Sequence, residues 1–346
     1  MTKVYFSRNF EETSIRSIFE KVLTGLKTGI ETHDKVAVKL HFGEEGNTWF
    51  VKPEQVKPVV NVLKTYTANT FLTDANALYI GKRHNGRDHR EIAERHGFTA
   101  LSIPVVIADG DEGKDEKVID IPGKIFNRVK IARAIADADA IVAISHFKGH
   151  VMFGFGGAIK NLGMGSGSRA GKLEMHSKIK PSVTRSCNGC GLCLENCRAQ
   201  AISLVNEKAS IDHGICEGCA FCIAICPKEA ISVPWGGATS REVQNRCSEY
   251  ALGAAKGKKL ICMTFINNIT KDCDCMTDTK IIGNDIGIVA SIDPVACDKA
   301  AYDLVIQDNG GRDIFKTATG VDGSGIFTYA ENIGLGKTVY ELICID

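Results

Sequence analysis

The sequence predicts an α/β fold, a mostly parallel sheet flanked by helices, with a small cysteine-rich module set into it. Three observations carry that expectation. Apolar runs of strand length alternate with segments of helical period on both sides of the middle of the chain. Eight of the fourteen cysteines fall between positions 187 and 226. Prolines bracket that stretch at Pro181 and Pro234, which suits an inserted unit with a definite entry and exit. The expected organisation is a first part of the α/β domain over residues 1–180, the module over 181–235, and the second part of the α/β domain over 236–346.

The first helix is expected over residues 14–26, which place Ile15, Ile18, Phe19, Val22, Leu23 and Leu26 at helical spacing, with Thr13 or Ser14 as the cap. Residues 35–40 read as a strand, 53–66 as a helix, 70–73 as a strand and 89–96 as a helix. Residues 103–107 and 140–144 read as further strands. Beyond the module, 259–265 and 286–290 are strands by the same signal. Asp293 then caps a helix that starts at Pro294 and runs to about residue 307, because Asp accepts from orphan N–H groups and Pro suits the first turn.

Composition narrows the function classes. With 44% hydrophobic and 24% charged residues the chain resembles ordinary globular proteins rather than disordered ones. A net charge of +1 argues against a dedicated nucleic-acid binder, which needs an excess of cations over its footprint. No apolar run reaches the roughly 18 residues of a membrane span, and the N-terminus has no apolar leader. The reading is therefore cytoplasmic, with no membrane and no nucleic-acid partner. Fourteen thiols in a reducing compartment point to metal rather than to disulfides.

The cysteine spacing sharpens this. Cys187-x2-Cys190-x2-Cys193-x3-Cys197 recurs 29 residues later as Cys216-x2-Cys219-x2-Cys222-x3-Cys226-Pro227, and Ala201-Ile-Ser203 recurs as Ala230-Ile-Ser232. This is the spacing of a bacterial two-[4Fe–4S] ferredoxin module, in which the fourth cysteine of each run serves the other cluster. Cluster one is expected on Cys187, Cys190, Cys193 and Cys226, and cluster two on Cys216, Cys219, Cys222 and Cys197. Arg198 stands where the first run would carry proline; an added N–H and a positive charge both tend to raise a cluster potential.

In open parallel sheets ligands bind beyond the carboxyl ends of the strands. His41 follows one such end, with Lys39 on the same face; Asp74 ends the next; His146, Lys148 and His150 follow the third. With Lys160 they are the candidate catalytic residues. The stretch from residue 145 to 180 holds six Lys or Arg against one acid, Glu174, and is rich in glycine. Gly156, Gly157, Asn161, Arg169, Lys172 and His176 are therefore the candidates for holding a small anionic ligand or cofactor, by clustered N–H groups and basic side chains. The competing reading is a flexible lid with solvated lysines. His33, His84, His89, His96 and His213 sit among charged residues and read as surface positions.

Cys273 and Cys275, two apart in extended chain, point the same way and can chelate one ion, completed by a nearby Asp or by Cys262 or Cys297. A redox-active thiol pair and a pair without special role stand as alternatives. Cys247 and Cys344 read as incidental.

The chain also resembles a known family, the domain of unknown function numbered three hundred and sixty-two, in the form fused to a ferredoxin module. The likeness rests on Val38-Lys-Leu-His-Phe-Gly43, Asp74-Ala-Asn76, His146-Phe-Lys-Gly-His150, Gly156-Gly-Ala-Ile-Lys-Asn-Leu-Gly-Met-Gly165, and Arg169-Ala-Gly-Lys172 with His176. Beyond the module it continues in Asn268-Ile-Thr, Cys273-Asp-Cys275, Asp285-Ile-Gly and Asp293-Pro-Val-Ala296. It implies an iron–sulfur protein of anaerobes in which the basic loop and the C-x-C pair belong to one shared site, and it supplies no reaction. The expected function is that of an iron–sulfur redox protein, an oxidoreductase or a redox-coupled activator. Two [4Fe–4S] clusters would exchange electrons with a redox partner protein and with a Lys/His-lined site holding an anion, a third metal ion or a flavin. The alternatives are an electron carrier that docks a larger enzyme, and a metabolite-binding protein whose clusters are structural.

Overall fold

The computed structural model describes all 346 residues. From the N-terminus the chain runs through β1 (Thr2–Ser7), α1 (Glu12–Leu23), β2 (Val36–Lys39), α2 (Pro53–Leu63), β3 (Thr70–Asp74), α3 (Gly86–Arg95) and β4 (Val105–Ile107). A hairpin of β5 (Glu116–Asp120) and β6 (Arg128–Ala132) and the short α4 (Arg133–Ala136) lead into β7 (Ala140–His146). A second hairpin, β8 (Lys148–His150) with β9 (Gly154–Gly156), precedes α5 (Ala158–Gly163) and α6 (Arg169–His176). The cysteine-rich segment contributes β10 (Ser182–Val183), α7 (Leu192–Glu195), β11 (Ile202–Val205), β12 (Lys208–Ile211), α8 (Phe221–Ile225) and β13 (Ile231–Ser232). The chain ends with α9 (Ser240–Ala255), β14 (Lys259–Ile266), β15 (Gly287–Ser291), α10 (Pro294–Asp308), α11 (Ile314–Thr319), α12 (Gly325–Asn332) and β16 (Tyr340–Cys344).

Eight strands form one mixed, mostly parallel sheet in the order β16-β1-β15-β14-β7-β2-β3-β4. Strands β14, β7, β2, β3 and β4 are parallel to one another, and β15 alone runs against both its neighbours. The central strands are apolar on both faces, which is what a sheet covered twice by helices requires. In β7, Ile141 and Ala143 face a core shared with α9 and α10, while Ala140, Val142 and Ile144 face one shared with α1 and α2. Strand β14, which comes after the cysteine-rich segment, pairs with β7, which precedes it, from Lys259↔Ala140 to Phe265↔His146. Residues on either side of the module thus build the same sheet. The module's neck is closed by antiparallel β10 and β13, with Ser182 opposite Ser232.

Local details depart from expectation where the competing physics is visible. Helix α1 starts at Glu12 with no side-chain cap, so that Thr13 and Ser14 lie in its first turn rather than before it. Helix α3 begins at Gly86 because Asn85 Oδ1 accepts from Asp88 N at 2.9 Å, three residues ahead of the expected start. Asp293 does cap α10, its Oδ1 accepting from Val295 N at 2.9 Å and Ala296 N at 3.0 Å. The glycine-rich stretch from 146 to 165 is no solvated lid. It is mostly buried, folding as the β8–β9 hairpin and α5 directly beyond β7.

Candidate functional site

Beyond the carboxyl ends of β2, β3, β7 and β14 lies a cavity of about 510 Å³. Its wall contains Lys39, His41, Asp74, His146, Lys148, His150 and Lys160, all seven candidate catalytic residues. Gly156, Gly157, Asn161, Lys172, His176, Cys273 and Cys275 line it as well. The parallel strands explain the convergence, because each delivers its last paired residue, Lys39, Asp74 or His146, and the residues that follow to the same rim. Arg169 is the exception. Its buried guanidinium turns away and donates to the carbonyls of Ala77 and His84, strapping the loop after β3 to α6.

Two buried ion networks organise the wall. Lys39 Nζ donates to Asp74 Oδ1 at 3.0 Å, Asn161 Oδ1 at 2.8 Å and Leu40 O at 2.9 Å. The other Asp74 oxygen accepts from Arg83 Nη1 at 3.2 Å and lies 3.5 Å from His89 Nε2. Arg83 continues through Nε to Glu44 Oε2 at 3.1 Å and through Nη2 to Tyr79 Oη at 2.6 Å. In the second network Asp274 joins His146 Nδ1 at 2.7 Å with Lys148 Nζ at 2.8 Å. Burial pushes both carboxyls up, but their cationic neighbours outweigh it and hold Asp74 and Asp274 well below the usual carboxylate range.

The cavity is cationic. Five Lys or Arg side chains line it against two acids. Lys160 makes no ion pair or hydrogen bond with its side chain, and Lys172 donates only to the Gly167 carbonyl, at 2.6 Å. Burial lowers Lys172 to about 8 and His176 to about 4, and drives His150 well below the ordinary histidine range. At neutral pH the two histidines are uncharged, polar and close to unpaired ammonium groups. Such a lining can hold a carboxylate or phosphate and pass a proton to it.

The C-x-C pair is drawn into the same wall by the loop after β14. Cys275 Sγ lies 3.2 Å from Arg83 Nη2 and 3.4 Å from His41 Nε2. No three His, Cys, Asp or Glu side chains are grouped as they would be around a single ion, and a guanidinium beside the sulfur opposes a cation. Cys262 and Cys297, expected as donors through the fold, are instead in the core, with Cys297 Sγ 3.8 Å from the Cys262 carbonyl. Cys247 is likewise buried against α5, while Cys344 is exposed on β16.

The other eight cysteines line two clefts. Cys187, Cys190, Cys193 and Cys226 face one, and Cys197, Cys216, Cys219 and Cys222 face the other together with Cys193. Backbone N–H groups of Ala209, Ala201 and Ala230 point at Cys187, Cys197 and Cys226 Sγ at 3.4, 3.3 and 3.2 Å. The module's small core includes Leu173 of α6 and Leu78, which itself lines the cavity. Lys180 Nζ donates to Cys216 O at 2.7 Å, and Lys114 lies 3.4 Å over the Phe221 ring.

Sequence reasoning missed part of this wall. His89, read as a surface residue, is fully buried beside Asp74 because α3 packs its inner face under the sheet rim. His96 is half-buried, its Nδ1 2.6 Å from the Phe42 carbonyl, and only His33 and His213 among the five are exposed. Arg83, Tyr79 and Glu44 carried no spacing signal; they meet only through the loops after β2 and β3. Asp274 had a weak one, its place between two cysteines.

The family model for the domain of unknown function DUF362 matches residues 36–303, which span β2 to α10 and hence the whole cavity wall. The chain belongs to the DUF362 family. No curated protein matches it. Among solved structures, this DUF362 protein is similar to the lactate racemase apoprotein from Thermoanaerobacterium thermosaccharolyticum, at 11% identity and a TM-score of 0.37, over 77% of this chain and 51% of that one. It is also similar to a protein from Thermotoga maritima solved by a structural genomics consortium, at 12% identity and a TM-score of 0.42, over 87% and 59% of the two chains. The chain thus spans little more than half the length of either. No helix of the DUF362 protein is long and apolar enough to cross a membrane.

Proposed function

We propose that the protein is an iron–sulfur redox protein whose cysteine-rich module exchanges electrons with an anionic substrate or organic cofactor held in the cationic cavity. The observation that carries this reading is the shared wall. Leu78 belongs both to the cavity lining and to the core that packs around the module's cysteines. Four cysteines lining the first cleft and five the second, Cys193 being shared, with N–H groups aimed at three sulfurs, support ligation of one [4Fe–4S] cluster on Cys187, Cys190, Cys193 and Cys226, and of a second on Cys216, Cys219, Cys222 and Cys197. Such clusters supply single electrons. The chain's own residues do the rest: Lys160 and Lys172 neutralise the ligand's charge, the Asp74 and Asp274 networks hold Lys39, Arg83, His146 and Lys148 in place, and neutral His150 faces the ligand as a proton donor or acceptor.

Cluster two is the one nearer the cavity in this reading, since its 216–222 loop packs on α6, whose Lys172 and His176 line the cavity. Around cluster one, Leu192, Leu194, Leu204 and Val205 are exposed, which favours a protein partner at that end and supports electron carriage as a second reading.

The test is anaerobic purification with iron and sulfide analysis, then a potentiometric titration with and without oxalate as a generic anionic ligand. The expected result is about eight irons per chain and a midpoint potential that moves on adding oxalate. Fewer than about four irons would sink the reading. Full iron content with a potential indifferent to oxalate would favour the carrier.

A further inference from the structure

One sulfur on the cavity wall faces two nitrogen donors, one of them a guanidinium. Cys275 Sγ has the Arg83 guanidinium at 3.2 Å and His41 Nε2 at 3.4 Å. His41 Nδ1 accepts from Gly43 N at 3.0 Å, so the ring's hydrogen sits on Nε2 and points at the sulfur. Arg83 is fixed in turn by Asp74, Glu44 and Tyr79, so its charge stays beside the sulfur whatever occupies the cavity. The Cys273 thiol first, and then Arg83 and His41, outweigh burial and hold the Cys275 thiol well below its ordinary value, while Cys273 is pushed up. Tyr79, His150, Lys160 and His176 are the other ionisable groups facing this pair. The sulfur is half-buried and lines the cavity that also contains Lys148, Lys160 and Lys172.

We propose that Cys275 is a nucleophile that bonds to an electrophilic carbon of a carboxylate-bearing ligand in this cavity. For a keto acid the step balances without a leaving group or a redox change. A sulfur lone pair forms the C–S bond, the C=O π pair moves to oxygen, and the oxygen takes a proton from the Lys160 ammonium. Arg83 and His41 hold the sulfur as thiolate beforehand; Lys160 and Lys172 recruit the carboxylate. The proposal rests on the cavity being an anion site and does not require the clusters, so iron content reports on one reading and alkylation on the other.

Iodoacetate, itself a carboxylate-bearing electrophile, is the probe, with neutral iodoacetamide beside it. The anaerobic full-length protein is alkylated at pH 6 and pH 8.5 and mapped by mass spectrometry, with exposed Cys344 as internal reference. An unperturbed thiol slows roughly 100-fold between those pH values; Cys275 is expected to slow less than about threefold and to prefer iodoacetate. Cys273→Ala, which removes one donor from the 273–275 loop and leaves the ion networks intact, is expected to slow Cys275 at pH 6 by about tenfold; Arg83→Met is expected to do so more strongly. Cys275 slowing in step with an ordinary thiol would overturn the nucleophile. Fast reaction with no preference for iodoacetate would overturn the carboxylate-bearing ligand.

Discussion

Asp74 holds two cations at once, and its burial makes that pairing obligatory. Lys39 is almost wholly removed from water and has no other acid within ion-pair distance, so it would be an uncompensated charge without this carboxylate, while the equally buried Arg83 would be left with Glu44 alone. Lys172 is the contrasting case, a buried ammonium with no acid within ion-pair distance, Asp109 and Asp74 acting on it only from farther away. Burial lowers it to about 8, so the folded protein releases this proton before the unfolded chain does at the ordinary 10.5. Between those values the unfolded state binds more protons, and the ligand-free protein gains stability as pH rises through the window. Anion binding has the opposite sign, since it needs the charged form. Affinity for oxalate, read through the fluorescence of the cavity residue Trp235, is expected to fall as pH rises through about 8, and the Lys172→Met variant is expected to lack that step. An affinity flat across pH 7 to 9 in the wild type would remove Lys172 from the anion site.

At the scale of elements, α5 carries Lys160 and Asn161 into the cavity although it has only six residues and no cap of its own. Its free N–H groups are satisfied from another element. Asp298 of α10 accepts from Ala158 N at 2.6 Å and Ile159 N at 2.8 Å. Gly157 makes room for that carboxylate, because a Cβ there would lie 2.3 Å from Asp298 Oδ1. Asp298→Ala leaves two buried donors unpaired, and about 1–3 kcal/mol of stability is expected to be lost, read as a shift of the urea midpoint. Oxalate affinity should weaken in the same variant, since Lys160 loses its anchor; unchanged affinity would show that α5 holds its place without the carboxylate. The apolar strands and the long amphipathic helices of this layer were legible in the sequence because their period alone reports burial. Helix α9 was not, since Gln244, Arg246, Ser248 and Glu249 are buried polar residues that blur its pattern. Glu249 accepts from the backbone of Lys124, Ile125 and Phe126, a contact that spacing along one chain cannot announce. The β5–β6 hairpin escaped for the opposite reason, its first strand being largely exposed and mixed in character.

At the scale of the whole molecule, the module is an excursion from a sheet that closes without it. Its neck, Ser182 beside Ser232, brings entry and exit together, while β7 and β14 pair across the insertion. Replacing residues 184–230 by a short Gly-Ser turn is therefore expected to leave a cooperatively unfolding α/β protein by circular dichroism, with no iron. It should be less stable than the parent, because Leu78 and Leu173 lose the core they share with the module. A chain that fails to fold after excision would mean that the module is part of the fold's nucleus.

The sequence by itself determined the α/β class and the ends of the strands that feed the cavity, because periodicity is a local property of the chain. It also placed Lys39, His41, Asp74, His146, Lys148 and His150 on one rim, since parallel strands bring the residues at and beyond their carboxyl ends to a common edge. Only the tertiary structure decided what those residues do to one another. That Arg83 and His41 meet Cys275, that His89 lies beneath Asp74, and that Arg169 turns away to strap a loop are facts of loops crossing in space. Charge–charge interactions are strong and weakly screened in a buried wall, so the chemistry of each group depends on neighbours in space that can be more than a hundred residues away in the chain.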